Sequence, residues 1–488
     1  MTCKKSAVSA YAPHRELKKG EKLNFAMIGN GIQGRDVLKD FIANGKFNIV
    51  AVCDVDKERV AYAKSLVDDA YGNKKCKAVG DFRLILKNPK IDVVGIATPD
   101  HWHAYIAVEA MKHGKDVFCE KPLTFTVDEA RKVMEAEKKY GRVFQVNSWQ
   151  RSWNIFRTAA MIVRNGFLGN VRYVDANYGI GGEKLGGPSH PIRFFDVAEN
   201  AATEGAPNPS VDWDMWLGPA KVRPYSDQLA PRGVNTFYPM FWRFDDDFGT
   251  GYNGDWGAHH LDIAQWGMNM DASGPYKIIR SEEPYSTNPL HGGRRQFGMR
   301  MLFKAEYGDI ELFHRPFGVW GTVFYCDNGI VAVNRGKLAV WEGTGLVKPD
   351  EKVRKAVAEG TFKKSKIVVK AIGEDYGTDI NIKKDDVLSK AVSLLEKKYK
   401  LAKAKVQLFQ PLDGHVGDFI NSCYDRTPTI CPAKVSGRSA ILCGLCNLSY
   451  VYDTGFDWNP KTNDFANGTG KGISLKREYY RNGWNVEV

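Results

Sequence analysis

The chain has 488 residues, more than one hydrophobic core ordinarily organises, so two domains are expected. Hydrophobic residues make up 43% and charged residues 26%, and no run approaches the apolar length of a membrane-spanning helix. The net charge of +12 is largely local, because residues 348–405 hold fifteen Lys and one Arg against nine acids, interleaved as on a solvated helix face. No zinc finger, basic zipper or RNP motif accompanies it, so no nucleic-acid partner is expected.

Residues 1–23 form a polar tail without the apolar stretch of a secretory signal. As it stands the chain is expected in the cytoplasm, or in the periplasm if a signal has been trimmed from its start. NFAMI at 24–28 is an apolar run, GNGIQG follows, RDVLKDFIANG has helical spacing, and NIVAVCD at 48–54 is a second apolar run. That is strand, Gly-rich turn, helix, strand. DKERVAYAKSLVDDAYG predicts a helix, 76–79 a short strand, 81–88 a helix and IDVVGIATP at 91–99 a strand. HWHAYIAVEAMKHG reads as a helix ending on Gly114, and KDVFCEKP as a strand and turn. TVDEARKVMEAEKKYG has Thr126 as N-cap and Glu129 three residues on, a capping box, and RVFQVNSW is one more strand. This alternation predicts a parallel sheet covered on both faces over 24–150.

After residue 150 the strands lengthen and alternate, as in VRYVDANYG at 171–179, RRQFGMRMLFKAEYGDIELFH at 294–314 and GTVFYCDNGIVAVNRGKLAVWEG at 321–343. They predict a largely antiparallel sheet, with helices near 255–267 and 411–425 and a Lys-rich helical insertion at 345–407. The loop at 180–210 is long and Gly-rich, placed either over the substrate or as a surface arm. Nine cysteines, an odd number, make no disulfide framework. Cys443 and Cys446 lie in the apolar run AILCGLCNLSY and read as buried core rather than a metal site.

Gly29, Gly31 and Gly34 make GxGxxG around Asn30, Ile32 and Gln33, between a strand and a helix. There glycines permit the tight turn and let backbone approach a pyrophosphate at the helix N-terminus. Asp54 follows twenty residues after Gly34, at the end of the second strand. A carboxylate there accepts from a ribose diol and repels a 2′-phosphate, and Val55 and Asp56 come next, so NAD is favoured over NADP. Glu120-Lys121-Pro122 closes the fifth strand, where the lysine either stabilises a developing alkoxide or is a surface residue ahead of a turn proline. Asp255 and His259 are four apart, on one face of a helix. The carboxylate would orient the imidazole and raise its proton affinity for general-base work, or the two form a structural pair at a helix start. There is no HExxH and no ligand-spaced Cys/His pair, so no metal is expected.

Together these clusters resemble the Gfo/Idh/MocA family, the glucose-fructose oxidoreductase and inositol dehydrogenase relatives, in a long bacterial branch. GNGIQG, ATPDHWHAYIAVEAMKHGKDVFCEKP and GDWGAHHLD follow the family's order, and the resemblance covers most of 24–488. It implies an α/β fold: an N-terminal Rossmann doubly wound parallel sheet over 24–150, then a C-terminal α+β domain over 151–488. That second domain has a large open, mostly antiparallel sheet, binding substrate on one face and building a homo-oligomer, dimer or tetramer, with the other. The resemblance also implies Lys121, between nicotinamide and substrate, and Asp255 with His259 as catalytic residues, His259 taking the hydroxyl proton. Thr98, Pro99, His101, His103, Glu120 and Gln150 are expected beside the cofactor. Arg151, Tyr178, His190, Trp242 and Arg243 are candidates for contact with a polyol, each with a packing or ion-pair role as its alternative.

Three functions follow from the resemblance. The first is an NAD-dependent dehydrogenase acting on a ring hydroxyl of a sugar, glycoside or cyclitol, with C3 of a glucoside as one target. The second is an NAD-dependent glycoside hydrolase that oxidises C3 transiently, eliminates the aglycone, adds water and re-reduces, with Tyr178 or His190 as its extra base. The third is a non-catalytic NAD-bound sugar sensor, against which the presence of Lys121, Asp255 and His259 speaks.

Overall fold

The structure, a computed structural model, describes residues 15, 17–177, 204–235, 241–287, 295–315, 319–343, 349–358, 361–362, 366–372, 386–481 and 483–488. The N-terminal unit runs β1 (Asn24–Ile28), α1 (Ile32–Asn44), β2 (Asn48–Cys53), α2 (Lys57–Tyr71), β3 (Lys77–Val79), α3 (Phe82–Leu86), β4 (Val93–Ile96), α4 (Asp100–Lys112), β5 (Asp116–Cys119), α5 (Val127–Tyr140) and β6 (Phe144–Val146). All six strands pair in parallel, in the order β3-β2-β1-β4-β5-β6. The order reverses between β1 and β4, which opens a crevice over their carboxyl ends.

The strand period of two sends alternate side chains to opposite faces. Phe25 and Met27 pack with Val37, Leu38 and Phe41 of α1, while Ala26 and Ile28 pack with Trp102, Ile106 and Ala107 of α4. Helix α5 begins with the expected capping box: Glu129 N donates to Thr126 Oγ1 at 3.2 Å, and Thr126 N donates to Glu129 Oε2 at 3.1 Å.

A 3-10 turn at Trp149–Ser152 leads into the second unit. It contains α6 (Asn154–Arg164), β7 (Val171–Asn177), α7 (Trp213–Leu217), α8 (Phe241–Phe244), α9 (Gly251–Asp255), α10 (Gly257–Gly267), β8 (Lys277–Thr287), β9 (Arg295–Phe303) and β10 (Ile310–Arg315). Then come β11 (Thr322–Cys326), β12 (Gly329–Asn334), β13 (Lys337–Glu342), α11 (Glu351–Ala358), β14 (Lys366–Ile372), α12 (Asp386–Lys398), α13 (Gly414–Asp425), α14 (Ala433–Val451), β15 (Phe456–Asn459) and β16 (Asp464–Phe465). Its sheet orders ten strands as β14-β13-β12-β11-β7-β10-β9-β8-β15-β16, antiparallel except for β7 with β10. One face carries α6, α10, α12 and α14 over the largest apolar core.

The insertion differs from a purely helical segment. It adds β14 as an edge strand, and α11 lies on the sheet face expected to build an oligomer. There Val357 and Phe362 bury against Trp320 and Trp341, and Trp320 Nε1 donates to Val357 O at 3.0 Å. Arg354 sits 4.6 Å over the Tyr173 ring and 4.8 Å over that of Phe313.

The end of the chain returns to the first unit, so a cut at residue 150 does not separate two independent cores. Phe419, Ile420 and Cys423 of α13 complete the apolar cluster around α1. Val146 N donates to Cys431 O at 2.9 Å, extending β6, and Trp484 packs on Phe82, Trp102 and Tyr105. Cys443 and Cys446 are buried and unpaired in α14. No helix among the described residues is long and apolar enough to cross a membrane.

Candidate active site

A cleft of about 520 Å³ opens over the carboxyl ends of β1, β2, β4 and β5. The chain leaves β1 through Gly29 at φ +84°, and α1 starts on Gly31 with no side chain capping its first turn. Its unpaired N–H groups and positive end suit an anion. A Cβ at Gly29 would stand 2.5 Å from Ala97 O, and one at Gly34 would overlap the Gly29 carbonyl oxygen. A Cβ at Gly31 would meet only Arg59 Nη1, at 3.6 Å, so that position faces open space. Ile32 and Gln33 line the same wall. Asn30 turns inward, its side chain donating to Cys53 O at 2.8 Å.

Asp54 lines the cleft at the end of β2 and accepts from Asn30 N at 2.6 Å and Asp56 N at 2.9 Å. Burial raises its proton affinity, and those two donors oppose the rise. Arg59 is committed to Asp56 at 3.3 Å and to Pro231 O at 2.9 Å. Free helix N–H groups, a glycine cradle and a carboxylate at the ribose end fit a dinucleotide without a 2′-phosphate.

Thr98, Pro99 and His103 line the middle of the cleft. The His103 ring nitrogens lie 2.7 Å from Pro122 O and 2.8 Å from Thr98 O, which ties the loops after β4 and β5 together. His101, expected beside the cofactor, does not line the cleft: it is buried with its Nε2 3.1 Å from Trp216 O and its ring against Phe248. Glu120 accepts from Gln33 Nε2 at 2.9 Å, Asn147 Nδ2 at 2.5 Å and Lys121 N at 3.1 Å.

At the inner end, Lys121 Nζ crosses to the second unit and donates to Asp255 Oδ1 at 2.5 Å. Arg243 Nε lies 3.6 Å from the same oxygen, and its guanidinium stacks 4.4 Å over Trp242. Burial pushes the Asp255 proton affinity up, but Lys121 and Arg243 outweigh it and hold the carboxyl below its ordinary range. The expected pairing of Asp255 with His259 is therefore corrected. The helix breaks at Trp256, between α9 and α10, and Asp255 faces Lys121. His259 lines the cleft beside Trp149 and Trp256, with its Nδ1 buried and without a hydrogen-bond partner among the described residues. Burial, then Arg335 and Lys121, push its proton affinity well down rather than up.

Arg151 is a second correction. It is 1% exposed, donates from Nε to Asp262 at 2.6 Å and from Nη2 to Asp271 at 2.8 Å, and lies off the cleft, where it anchors α10. Gln150, expected at the cofactor, also lies off the cleft and accepts from Arg335 Nε at 3.1 Å. Tyr178 and His190 fall outside the described residues.

Sequence reasoning missed Trp149, Trp256 and Arg335 on the inner wall. Arg335 sits in the β12–β13 turn, and no spacing links it to residue 259. It also missed the cover over the nucleotide end, where Val211, Met215, Trp216, Leu229 and Pro231 close the cleft. Two hydrogen bonds pin this cover, one from the backbone N of Lys57 to Ser210 O at 2.9 Å and one from the side-chain Nη2 of Arg35 to Val234 O at 2.7 Å.

Residues 23–148 match the oxidoreductase family with an NAD-binding Rossmann fold, and residues 190–295 match its C-terminal alpha/beta domain. A glycosyl hydrolase family 109 protein of Saccharopolyspora erythraea is 33% identical over 157 residues, 31% of this chain and 34% of that one. Levoglucosan dehydrogenase of Pseudarthrobacter phenanthrenivorans is 31% identical over 155 residues, 31% of this chain and 39% of that one. The chain thus matches well under half the length of these curated relatives. A solved levoglucosan dehydrogenase, in complex with NADH and levoglucosan, has the same fold, with a TM-score of 0.54 at 15% identity over 90% of this chain and 100% of that one. With its glycine turn, the EKP lysine and both matched regions in the family's order, the chain belongs to the Gfo/Idh/MocA family of NAD-binding oxidoreductases.

Proposed function

We propose that this protein is an NAD-dependent oxidoreductase acting on a ring hydroxyl of a sugar, glycoside or cyclitol. The observation that carries this reading is Lys121, whose Nζ lies 2.5 Å from Asp255 at the inner end of the nucleotide cleft, with His259 on the same wall. Bound NAD supplies the hydride acceptor. Lys121 donates to the substrate oxygen and stabilises negative charge as it develops there. Asp255 holds the ammonium group in place. His259, kept neutral, accepts the hydroxyl proton. Trp242 and Trp256 line the cleft and offer apolar surface to the C–H side of a sugar ring. Nicotinamide absorbance with NAD and a panel of glucosides, galactosides and inositols tests this. NADH is expected to rise with one substrate class. Intact NAD binding with neither NADH nor aglycone released across the panel overturns the reading.

A second reading is favoured by the cover over the nucleotide end, tied down by Arg35 and Arg59. Such a cover suits a cycle in which hydride is returned rather than exported: transient C3 oxidation, loss of the aglycone, addition of water and re-reduction. The family 109 glycosyl hydrolase among the relatives supports it. Release of a chromogenic leaving group without net NADH selects this cycle over the dehydrogenase.

A further inference from the structure

The chemistry at Lys121 and His259 leaves Arg243 unused. Its side chain lines the cleft and is 23% exposed there. Among the described residues its guanidinium donates no hydrogen bond. The carboxylate oxygen it faces, Asp255 Oδ1, stands 3.6 Å from Nε and already accepts from Lys121 Nζ at 2.5 Å. The guanidinium carbon lies 4.4 Å from the centre of the Trp242 ring. An arginine held against an indole stays charged and ordered while its N–H donors remain available to a ligand.

The segment that carries Arg243 is fastened on both sides. Asp245, two residues on, accepts from Arg223 Nη1 at 2.7 Å, and Asp247 pairs with the same guanidinium. Thr250 donates from N and Oγ1 to Asp100 Oδ2, at 3.1 and 2.8 Å. Gly249 lets the loop fold back on itself, since a Cβ there would stand 2.3 Å from the Arg243 Cα. The donors of Arg243 are therefore set in place before a ligand arrives, which lowers the cost of binding one.

We propose that Arg243 selects a substrate that carries a carboxylate, a uronic acid or its glycoside. This deepens the oxidoreductase reading and rests on it in placing the reacting hydroxyl at Lys121. Lys121 and Arg243 face one carboxylate oxygen, so their cationic heads lie within the span of a single pyranose ring. A ring whose hydroxyl meets Lys121 can thus bring a carboxylate to Arg243. The planar fork of a guanidinium matches two carboxylate oxygens at once. A ligand filling the cleft also strips water from this cation. A neutral hydroxyl replaces that water with an acceptor and no charge, whereas a carboxylate supplies both. It carries the single charge that one guanidinium matches, while a phosphate monoester brings close to two. The cofactor pyrophosphate is assigned to the start of α1, and Arg243 stands instead against Asp255 on the inner wall.

The test is calorimetry of the NAD-loaded protein with pairs of methyl uronides and methyl glycosides in the gluco, galacto and manno configurations. In at least one pair the uronide is expected to bind about 30-fold or more tightly than its neutral counterpart, the effect of one desolvated, hydrogen-bonded charge pair. A neutral glycoside keeps the Lys121 contact and is expected to remain a weaker substrate. Arg243→Gln is expected to bring the ratio within the pair close to one. If that variant does not fold, Arg243→Lys keeps the charge without the fork, and a uronide affinity lower by about tenfold is expected. Uronides bound no better than glycosides in every pair, or a preference that survives these substitutions, overturns the proposal. So does a glycoside 6-phosphate that binds more tightly than the uronide and loses its advantage in Arg243→Gln, because the site then takes phosphate. If the uronide preference depends on Arg243 but no member of the panel passes hydride to NAD or releases its aglycone, the carboxylate site stands and the oxidoreductase reading falls. If hydride passes from neutral sugars as readily as from uronides, that reading stands and the carboxylate site falls.

Discussion

Lys121 and Asp255 come from different units, so each is the other's counter-charge across the cleft, in a wall where an unmatched charge is costly. Lys121→Ala is expected to lower kcat/KM by about 100- to 1,000-fold, the effect of losing one donor to a developing oxyanion. NAD binding, followed by tryptophan fluorescence, should stay near native. Turnover that survives the substitution would remove Lys121 from the mechanism. His415 offers a separate test on stability. Its Nδ1 lies 2.8 Å from Ser152 Oγ and its Nε2 2.9 Å from Val146 O, and burial lowers its pKa to about 4. The folded value lies below the unfolded one of about 6.5, so the unfolded chain takes up the proton first as pH falls. The stability from this group is complete above about pH 6.5 and declines by about 1.4 kcal/mol per pH unit toward the folded value. His415→Gln should remove that slope in urea unfolding between pH 7 and 4.5. Parallel slopes in the two proteins would assign the acid sensitivity to another group.

The strand–turn–helix at 24–44 works as a unit, because the turn closes only if Gly34 lets α1 pass the Gly29 carbonyl. Gly34→Ala is expected to weaken NAD binding by about tenfold or more in calorimetry, since the anion site is the helix start itself. Native affinity in that variant would place the pyrophosphate elsewhere. Helix α5 shows how local chemistry decides an element: Thr126 and Glu129 satisfy each other's backbone donors, and Thr126→Ala should cost about 1 kcal/mol in chemical denaturation. The segment DWGAHHLD shows the opposite. Its spacing predicts one helix face, but the helix divides at Trp256, and Asp255 meets Lys121 while the His259 ring packs beside Trp149 and Trp256.

Across the molecule, the chain folds back over its own cofactor site. Residues 204–235 cover the nucleotide end, and the tail packs beside them, with Arg477 4.0 Å over the Phe125 ring and Trp484 against Trp102. NAD is therefore expected to survive desalting of the native protein and to be lost from Arg59→Ala, which releases Pro231 and Gly233 from α2. Absorbance of the desalted protein reads this directly, and equal loss from both proteins would show that the cover does not retain the cofactor. On the far face, α11 buries Trp320 and Trp341. A charge at its buried Val357, as in Val357→Asp, should detach it and drive association visible by light scattering. A native-sized particle would mean the helix is dispensable there.

The Rossmann unit was legible in the sequence because its causes are local. Apolar strands, a glycine turn, a capping box and Gly stops each act within a few residues, and their alternation allows little besides a parallel sheet. The family resemblance rested on the same short motifs, which carry the cofactor and EKP positions in chain order. What only the tertiary structure decided depends on long-range packing and charge. Asp255 takes Lys121 rather than His259 because β5 delivers an ammonium group across the cleft, a relation that i and i+4 spacing cannot express. Arg151 is drawn into a buried ion pair by Asp262 and Asp271, more than 100 residues away. Arg335 lies over Trp149 and Trp256 because the ten-stranded sheet places the β12–β13 turn against them. Spacing in the sequence reports what one turn of helix or one strand can align, whereas the charge at the inner end of this cleft is set by residues that meet only when both sheets are folded.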